Sequence, residues 1–180
     1  MKTYGVNMKI AITGTPGCGK TTVSKKLAEE TSMDYVSVND VARKKDCIIS
    51  HDKDRKSDVV DVKKLRSEAE ELEDSILDGH LSHFLDSGMV FVLRCKPSRL
   101  KQRLEEKGWD EEKVRENVDA EITGVIEREA RNGNEEVYSI DTTKESKEEV
   151  VKIIEKIING EASDDYSEPF DWIEKDEVDV

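Results

Sequence analysis

Residues 14–21, Gly14-Thr15-Pro16-Gly17-Cys18-Gly19-Lys20-Thr21, decide how this chain folds. They fit GxxxxGK[ST] at every fixed position, one residue after the apolar run Ile10-Ala11-Ile12 and directly before an amphipathic segment. Strand, glycine-rich loop and helix in that order make a phosphate cradle. Gly14, Gly17 and Gly19 let successive backbone N–H groups turn onto phosphate oxygens, and the helix adds its positive end. Lys20 puts an ammonium at a nucleotide's β- and γ-phosphates, and the Thr21 hydroxyl can ligand Mg²⁺. Cys18 lies near a helix N-terminus, where a thiol pKa falls. That marks it as a site of oxidation or alkylation, not as a catalyst.

Outward from the loop, strands and helices alternate. Lys9–Thr13, Tyr35–Val38, Ser75–Asp78, Met89–Arg94 and Val137–Ile140 read as short buried strands. Helical spacing of apolar residues predicts Lys20–Glu30, Val62–Leu72, Arg99–Glu106 and one long helix over Glu112–Ala130. Ser146 and Glu149 form a capping box that opens a last helix ending at Gly160. Such alternation predicts an α/β fold, a P-loop NTPase with a parallel five-stranded sheet and helices on both faces.

An enzyme with this loop needs an acid near Mg²⁺ at the end of a neighbouring strand. Asp78 ends Ser75-Ile76-Leu77-Asp78, so Thr21 and Asp78 are the candidate metal residues. His80 follows two residues later and could orient an attacking water. Lys20, Asp78 and His80 are thus the candidate catalytic set. Asp78 as a helix cap, His80 as a surface residue, and a transition-metal site at Asp78, His80 and His83 lacking a fourth ligand remain alternatives.

The 180 residues suit one domain, and 39% of them are charged. A net charge of −13 argues against bulk binding of nucleic acid or anionic membrane and suits a basic protein partner. The run Met89–Leu93 is far short of the roughly 20 apolar residues of a membrane span. Met1–Asn7 has no signal-peptide core. Cys18, Cys47 and Cys95 show no CxxC spacing, which points to a reduced, cytoplasmic protein. Residues 1–7 read as an extension and 8–160 as the domain. Residues 161–180 carry nine acids against one lysine and read as a disordered acidic tail. Its Tyr166, Phe170, Trp172 and Ile173 could instead dock on the body or on a partner.

Over residues 8–158 the chain resembles the nucleoside monophosphate kinases, and more closely the adenylate kinase isoenzyme six family. The resemblance rests on Thr13–Thr22, Asn39-Asp40-Val41-Ala42-Arg43, Arg55-Lys56-Ser57 with Val59-Val60-Asp61, and Asp78-Gly79-His80. It continues in Val92-Leu93-Arg94-Cys95, in Arg103-Leu104 with Lys107-Gly108-Trp109, and in Glu116–Ile122. It implies a monophosphate-binding insertion near residues 37–60 and a short lid near 106–116. It implies phosphoryl transfer from ATP, with Mg²⁺, to AMP or a similar monophosphate, and ATP hydrolysis. By matching, Gly17, Gly19, Lys20, Thr21 and Thr22 hold ATP, Lys107 is the lid residue, and Lys144 lies near the base. Arg43 matches the arginine that reaches the monophosphate, and Arg103 suits the same neutralisation of substrate charge. Three departures stand out. Lys107 replaces an arginine and loses its bidentate fork, Gly79 replaces an aromatic, and the family's stretch after His80 is absent from residues 81–88. The family also implies a second role, a nucleotide-gated assembly factor for the universal small-subunit ribosomal protein eleven. A small-molecule kinase of the shikimate or gluconate type is disfavoured by the lid segment.

Overall fold

The computed structural model describes residues 8–53, 57–161, 164–173 and 178. The expected extension 1–7, Arg55 and Lys56 of the expected insertion, and the remaining tail positions lie outside them.

Five strands form one parallel sheet in the order β2-β5-β1-β6-β7. They are β1 (Lys9–Gly14), β2 (Asp34–Ser37), β5 (Ser75–Asp78), β6 (Met89–Arg94) and β7 (Val137–Asp141). The fold class read from the loop is the fold observed. The period-2 alternation of β1, β5 and β6 sorts their side chains onto two faces. Ile10, Ile12, Ile76, Phe91 and Leu93 point to one face. There they meet α1 (Lys20–Thr31), α4 (Pro97–Glu106), α5 (Glu111–Thr123) and α7 (Lys147–Ile158). On the other face Ala11, Val90 and Val92 meet Ala130 of α6 (Val125–Gly133). Leu77 packs with α2 (Val38–Lys44) and α3 (Val62–Glu68). Between those two helices, β3 (Ile48–Asp52) and β4 (Ser57–Val60) form a separate antiparallel hairpin.

Two helices differ from expectation. Val62–Leu72 stops at Glu68, because Glu70 N–H on Ser67 O and Leu72 N–H on Ala69 O close tighter turns that return the chain to Asp74 at φ 41° and into β5. The helix predicted over Glu112–Ala130 is two helices. Gly124 breaks it at φ +61°, in the left-handed region that favours glycine, and a Cβ there would stand 3.5 Å from the Arg94 guanidinium. The period-3.6 pattern runs through this break, so periodicity alone hides it. The segment expected as a lid, residues 106–116, comprises the last residue of α4, a four-residue turn closed by Trp109 N–H on Leu104 O at 3.2 Å, and the first residues of α5.

Candidate active site

The loop between β1 and α1 sits at the carboxyl end of the central strand, where open parallel sheets bind ligands. Gly14 is at φ +130°, and a Cβ on it would lie 2.3 Å from the Leu93 carbonyl oxygen, so β6 passes too close for any side chain. Gly19 caps α1 with no side chain to occupy the first-turn N–H groups, and no acid lies in that turn. Lys20 Nζ donates to the Thr15 carbonyl at 3.2 Å. Burial pulls its pKa down, against the opposing charges of Asp78 and Glu121.

Asp78 enters through strand register, opposite Ile12 of β1 and Ser37 of β2. It is 6% exposed. Its Oδ2 accepts from Thr21 Oγ1 at 2.7 Å and from Tyr35 Oη at 2.8 Å, while Oδ1 is buried without a partner. Burial, and then the Asp78 hydrogen bond, raise the Tyr35 pKa, so the phenol stays a donor. An orphaned carboxylate oxygen beside a threonine hydroxyl is the hard-oxygen donor set that Mg²⁺ takes, so these residues fit that ion. Tyr35 was not legible beforehand, because only the strand order brings β2 beside β5.

His80 and His83 part company. His80 is solvent-accessible, and its pKa is lowered by the crowding around it and then by Lys20. His83 is 3% exposed, with Nδ1 3.0 Å from Thr13 Oγ1, behind β1. Among the described residues no three His, Cys, Asp or Glu side chains are grouped to hold a metal ion. Burial, and then the neighbouring His80, push the His83 pKa down to about 4. Glu129 lies 3.6 Å from Nε2 but is half-exposed, so water screens its charge. Below about pH 6.5 the unfolded chain therefore binds a proton that the folded chain refuses until about pH 4. Stability should rise with pH across that window and be lost on acidification, by up to about 3 kcal/mol at 1.36 kcal/mol per unit. Urea midpoints from pH 4 to 7 should show this slope, flattened in His83→Gln. Equal slopes in the two proteins would assign the acid sensitivity to other groups.

Two clefts of similar size stand out, the first lined by loop residues and the second reaching His80. One, of about 480 Å³, is lined by Gly17, Gly19, Thr22, Arg103, Lys107 and Thr142. The other, of about 490 Å³, is lined by Asn39, Arg43, His51, Asp58 and His80. Arg103 lines the first of these clefts and Arg43 the second. The Arg103 guanidinium is committed to Thr142 O at 2.8 Å and Cys95 Sγ at 3.2 Å. Lys144 is exposed in the loop after β7, next to Thr142 and Thr143. A larger cleft of about 790 Å³ between α4 and α5 contains none of the loop residues and has a mixed-charge lining that includes Glu105, Glu111 and Arg115.

Residues 10–124 match the sequence profile of the AAA domain family. A protein of Thermococcus kodakarensis named "Putative adenylate kinase" is 42% identical over 151 residues, 84% of this chain and 85% of the relative. One of the same name from Methanocaldococcus jannaschii is 40% identical over 173 residues, 93% and 94% of the two chains. The chain belongs to this family of adenylate kinase-like P-loop proteins. Solved structures add the fold alone. Shikimate kinase from Acinetobacter baumannii in complex with shikimate superposes with a TM-score of 0.64 at 20% identity, covering 86% and 94%. Deoxyadenosine kinase from M. mycoides with bound dATP gives 0.59 at 16% identity, covering 84% and 100%.

In this adenylate kinase-like chain a buried ionic network, not anticipated from sequence, lies beneath the phosphate loop. Arg94 donates through Nε to Glu121 Oε1 at 2.7 Å and through Nη1 to the Glu127 carboxylate. All three residues are at most 4% exposed. Burial works against the Arg94 charge, yet Glu121 and Glu127 hold its pKa above the ordinary value. For Phe170 and Trp172, within the segment expected as a disordered tail, that expectation is corrected here. Trp172 is 1% exposed, Phe170 N–H donates to Glu127 Oε1 at 3.1 Å, and Arg94 Nη1 donates to Phe170 O at 2.8 Å. The acids of the tail suggested solvation, but its aromatic pair finds an apolar and cationic seat. The Cys18 expectation is also corrected. Its thiol is fully buried, and burial, the Cys95 thiol and Glu121 raise its pKa well above the usual value. Desolvation outweighs the helix end. No helix among the described residues is long and apolar enough to cross a membrane.

Proposed function

We propose that this chain transfers the γ-phosphoryl group of ATP to a nucleoside monophosphate, AMP first, yielding two diphosphates. The observation that carries the reading is a cleft lined by the loop glycines together with a second cleft lined by Arg43 and His80, the histidine lying within reach of the Lys20 charge. ATP takes the cleft of Gly17, Gly19 and Thr22, with its phosphates in the loop. Lys107 and Arg103 flank it there, and Lys144 lies toward the base. The monophosphate takes the cleft of Arg43, whose guanidinium stands 63% exposed and 3.9 Å from Asp58, available to an anion. An ionised phosphate acceptor needs no general base, so the work is positioning and charge cancellation. Thr21 and Asp78 would hold Mg²⁺, which when bound neutralises charge on the transferring phosphates. Three free cysteines suit a reducing cytoplasm.

A second activity, ATP hydrolysis, is favoured by His80, which lines the acceptor cleft. Its lowered pKa leaves a neutral imidazole at pH 7, able to align a water. This supports placing the chain with the adenylate kinase isoenzyme six group. The net charge of −13 supports a basic client such as the universal small-subunit ribosomal protein eleven.

Incubation with ATP plus each monophosphate, and with ATP alone, tests both activities. Diphosphate formed from AMP supports the kinase, and phosphate released without acceptor supports the hydrolase. Absence of both products refutes the assignment. His80→Ala should lower hydrolysis by about 10²-fold and AMP phosphorylation by less than about threefold. Asp78→Asn should lower both, since both use the same ion. Equal losses in His80→Ala would remove the water-aligning role.

A further inference from the structure

We propose that Trp172, more than 150 residues after the phosphate loop, is a positioning residue for that loop and acts through the buried carboxylate of Glu121. The proposal rests on the reading above only in taking ATP as the loop's ligand. Glu121 divides its two oxygens between two tasks. Oε2 accepts from Thr15 Oγ1 at 2.5 Å and faces Cys18 Sγ at 3.9 Å, both inside the loop. Oε1 gathers Arg94 Nε at 2.7 Å, Cys95 N–H at 3.0 Å and the Trp172 indole Nε1–H at 3.0 Å. Thr15 is in turn the residue whose carbonyl receives Lys20 Nζ. A continuous line of contacts thus runs from Trp172 through Glu121 and Thr15 to the loop lysine.

The terminal torsion of a glutamate is broad and roughly two-fold, so a carboxylate is not aimed by its own covalent geometry. Donors aim it. Three donors converging on Oε1 fix the plane of the group, and that plane determines where Oε2 meets Thr15. Removing the indole N–H leaves Oε1 with two donors, so no buried charge is stranded and the fold loses little. The group that has lost definition is the one that holds the loop. Trp172 is seated by the edge of Phe170, with ring centroids 4.5 Å apart, and Phe170 is tied to Glu127 and Arg94. Phe170 and Trp172 therefore close the loop's underside as a strap.

The test is equilibrium binding of the imido analogue of ATP and, separately, of AMP, measured by calorimetry. Neither requires catalysis, so a protein that binds the analogue but phosphorylates nothing would refute the kinase while leaving this test intact. Trp172→Phe keeps an aromatic ring and deletes the donor. It should raise the Kd of the ATP analogue by about five- to tenfold and leave that of AMP unchanged. Thr15→Val should act similarly, and the double variant should be no weaker than the worse single, because both act through Glu121. An unchanged Kd for the analogue, equal weakening of both ligands, or a double variant whose losses multiply overturns the proposal. A second readout keeps Trp172 itself. In Trp109→Phe it is the sole tryptophan, and its emission should shift as the analogue fills the loop. Emission silent to saturating analogue overturns the proposal even where Trp172→Phe fails to fold.

Discussion

Lys20→Ala should lower both AMP phosphorylation and ATP hydrolysis by at least about 10³-fold, leaving the fold intact. In the proposed reaction Lys20 is the cation where charge gathers on the transferring phosphoryl group. It sits in a partly desolvated loop, where a charge counts for more than it does in water. The fold depends on it little. Its ammonium holds one loop carbonyl, Thr15 O, and the adjacent Gly19 supplies the start of α1. The measurement is ADP and phosphate formation under saturating ATP, paired with a thermal melt. Turnover within tenfold of the parent, at an unchanged melting temperature, would remove Lys20 from the chemistry and with it the reading of the loop. Lys20→Arg is the informative control. It restores charge but not the compact ammonium, and should recover little if geometry matters as much as sign.

Removing residues 161–180 should cost about 3–5 kcal/mol of stability, by analogy with truncation of a buried tryptophan to alanine. For a chain of this size that lowers the melting temperature by roughly 10 °C. A tail of nine acids and one lysine would ordinarily be expected to leave stability untouched. Trp172 reverses that expectation, because it is 1% exposed and its removal opens the seat above Glu121. Deletion also strips Phe170 N–H and Phe170 O from Glu127 and Arg94. Three buried charges then meet water or lose partners, which is the costly way to break such a network. Differential scanning calorimetry of the two proteins decides the matter. A shift below about 2 °C would mean that the docked tail contributes little. Phe170→Ala, which keeps the backbone bonds, should fall between the two.

Much of the site was legible because its chemistry is contiguous in sequence. The phosphate loop is eight consecutive residues whose glycines, lysine and threonine are each required by local geometry. Gly14 needs no neighbour to be recognised, although the 2.3 Å approach of Leu93 O explains why it cannot be anything else. Asp78 was legible because a strand that ends in an acid carries its own signal. The five sheet strands were legible through apolar runs, whereas the β3–β4 hairpin was not. Its strands alternate poorly, Ile49 being 66% exposed.

What escaped the sequence depends on partners far along the chain. Gly124 reads as one more residue of a helix until the Arg94 guanidinium is seen beside it. Cys18 carries the signature of an activated thiol, and only burial against Cys95 and Glu121 reverses the sign of its pKa shift. Arg103 is an arginine at a plausible spacing, and only the fold shows that the carbonyls of Thr142 and Thr143 hold its guanidinium. The acidic tail is decided in the same way. Local composition sets the solvation of each residue, and by that measure the tail belongs in water. Burial is a property of pairs, and the seat for Trp172 is assembled from β6, α5 and α6, which are brought together by parallel register and a left-handed glycine. The sequence by itself therefore determined the loop, the strands and the nature of the ligand's charge, because these follow from backbone geometry within a few residues. Only the tertiary structure decided the orientation of Glu121, the partners of Arg103 and the docking of Trp172, because each depends on groups that meet across more than twenty residues of chain.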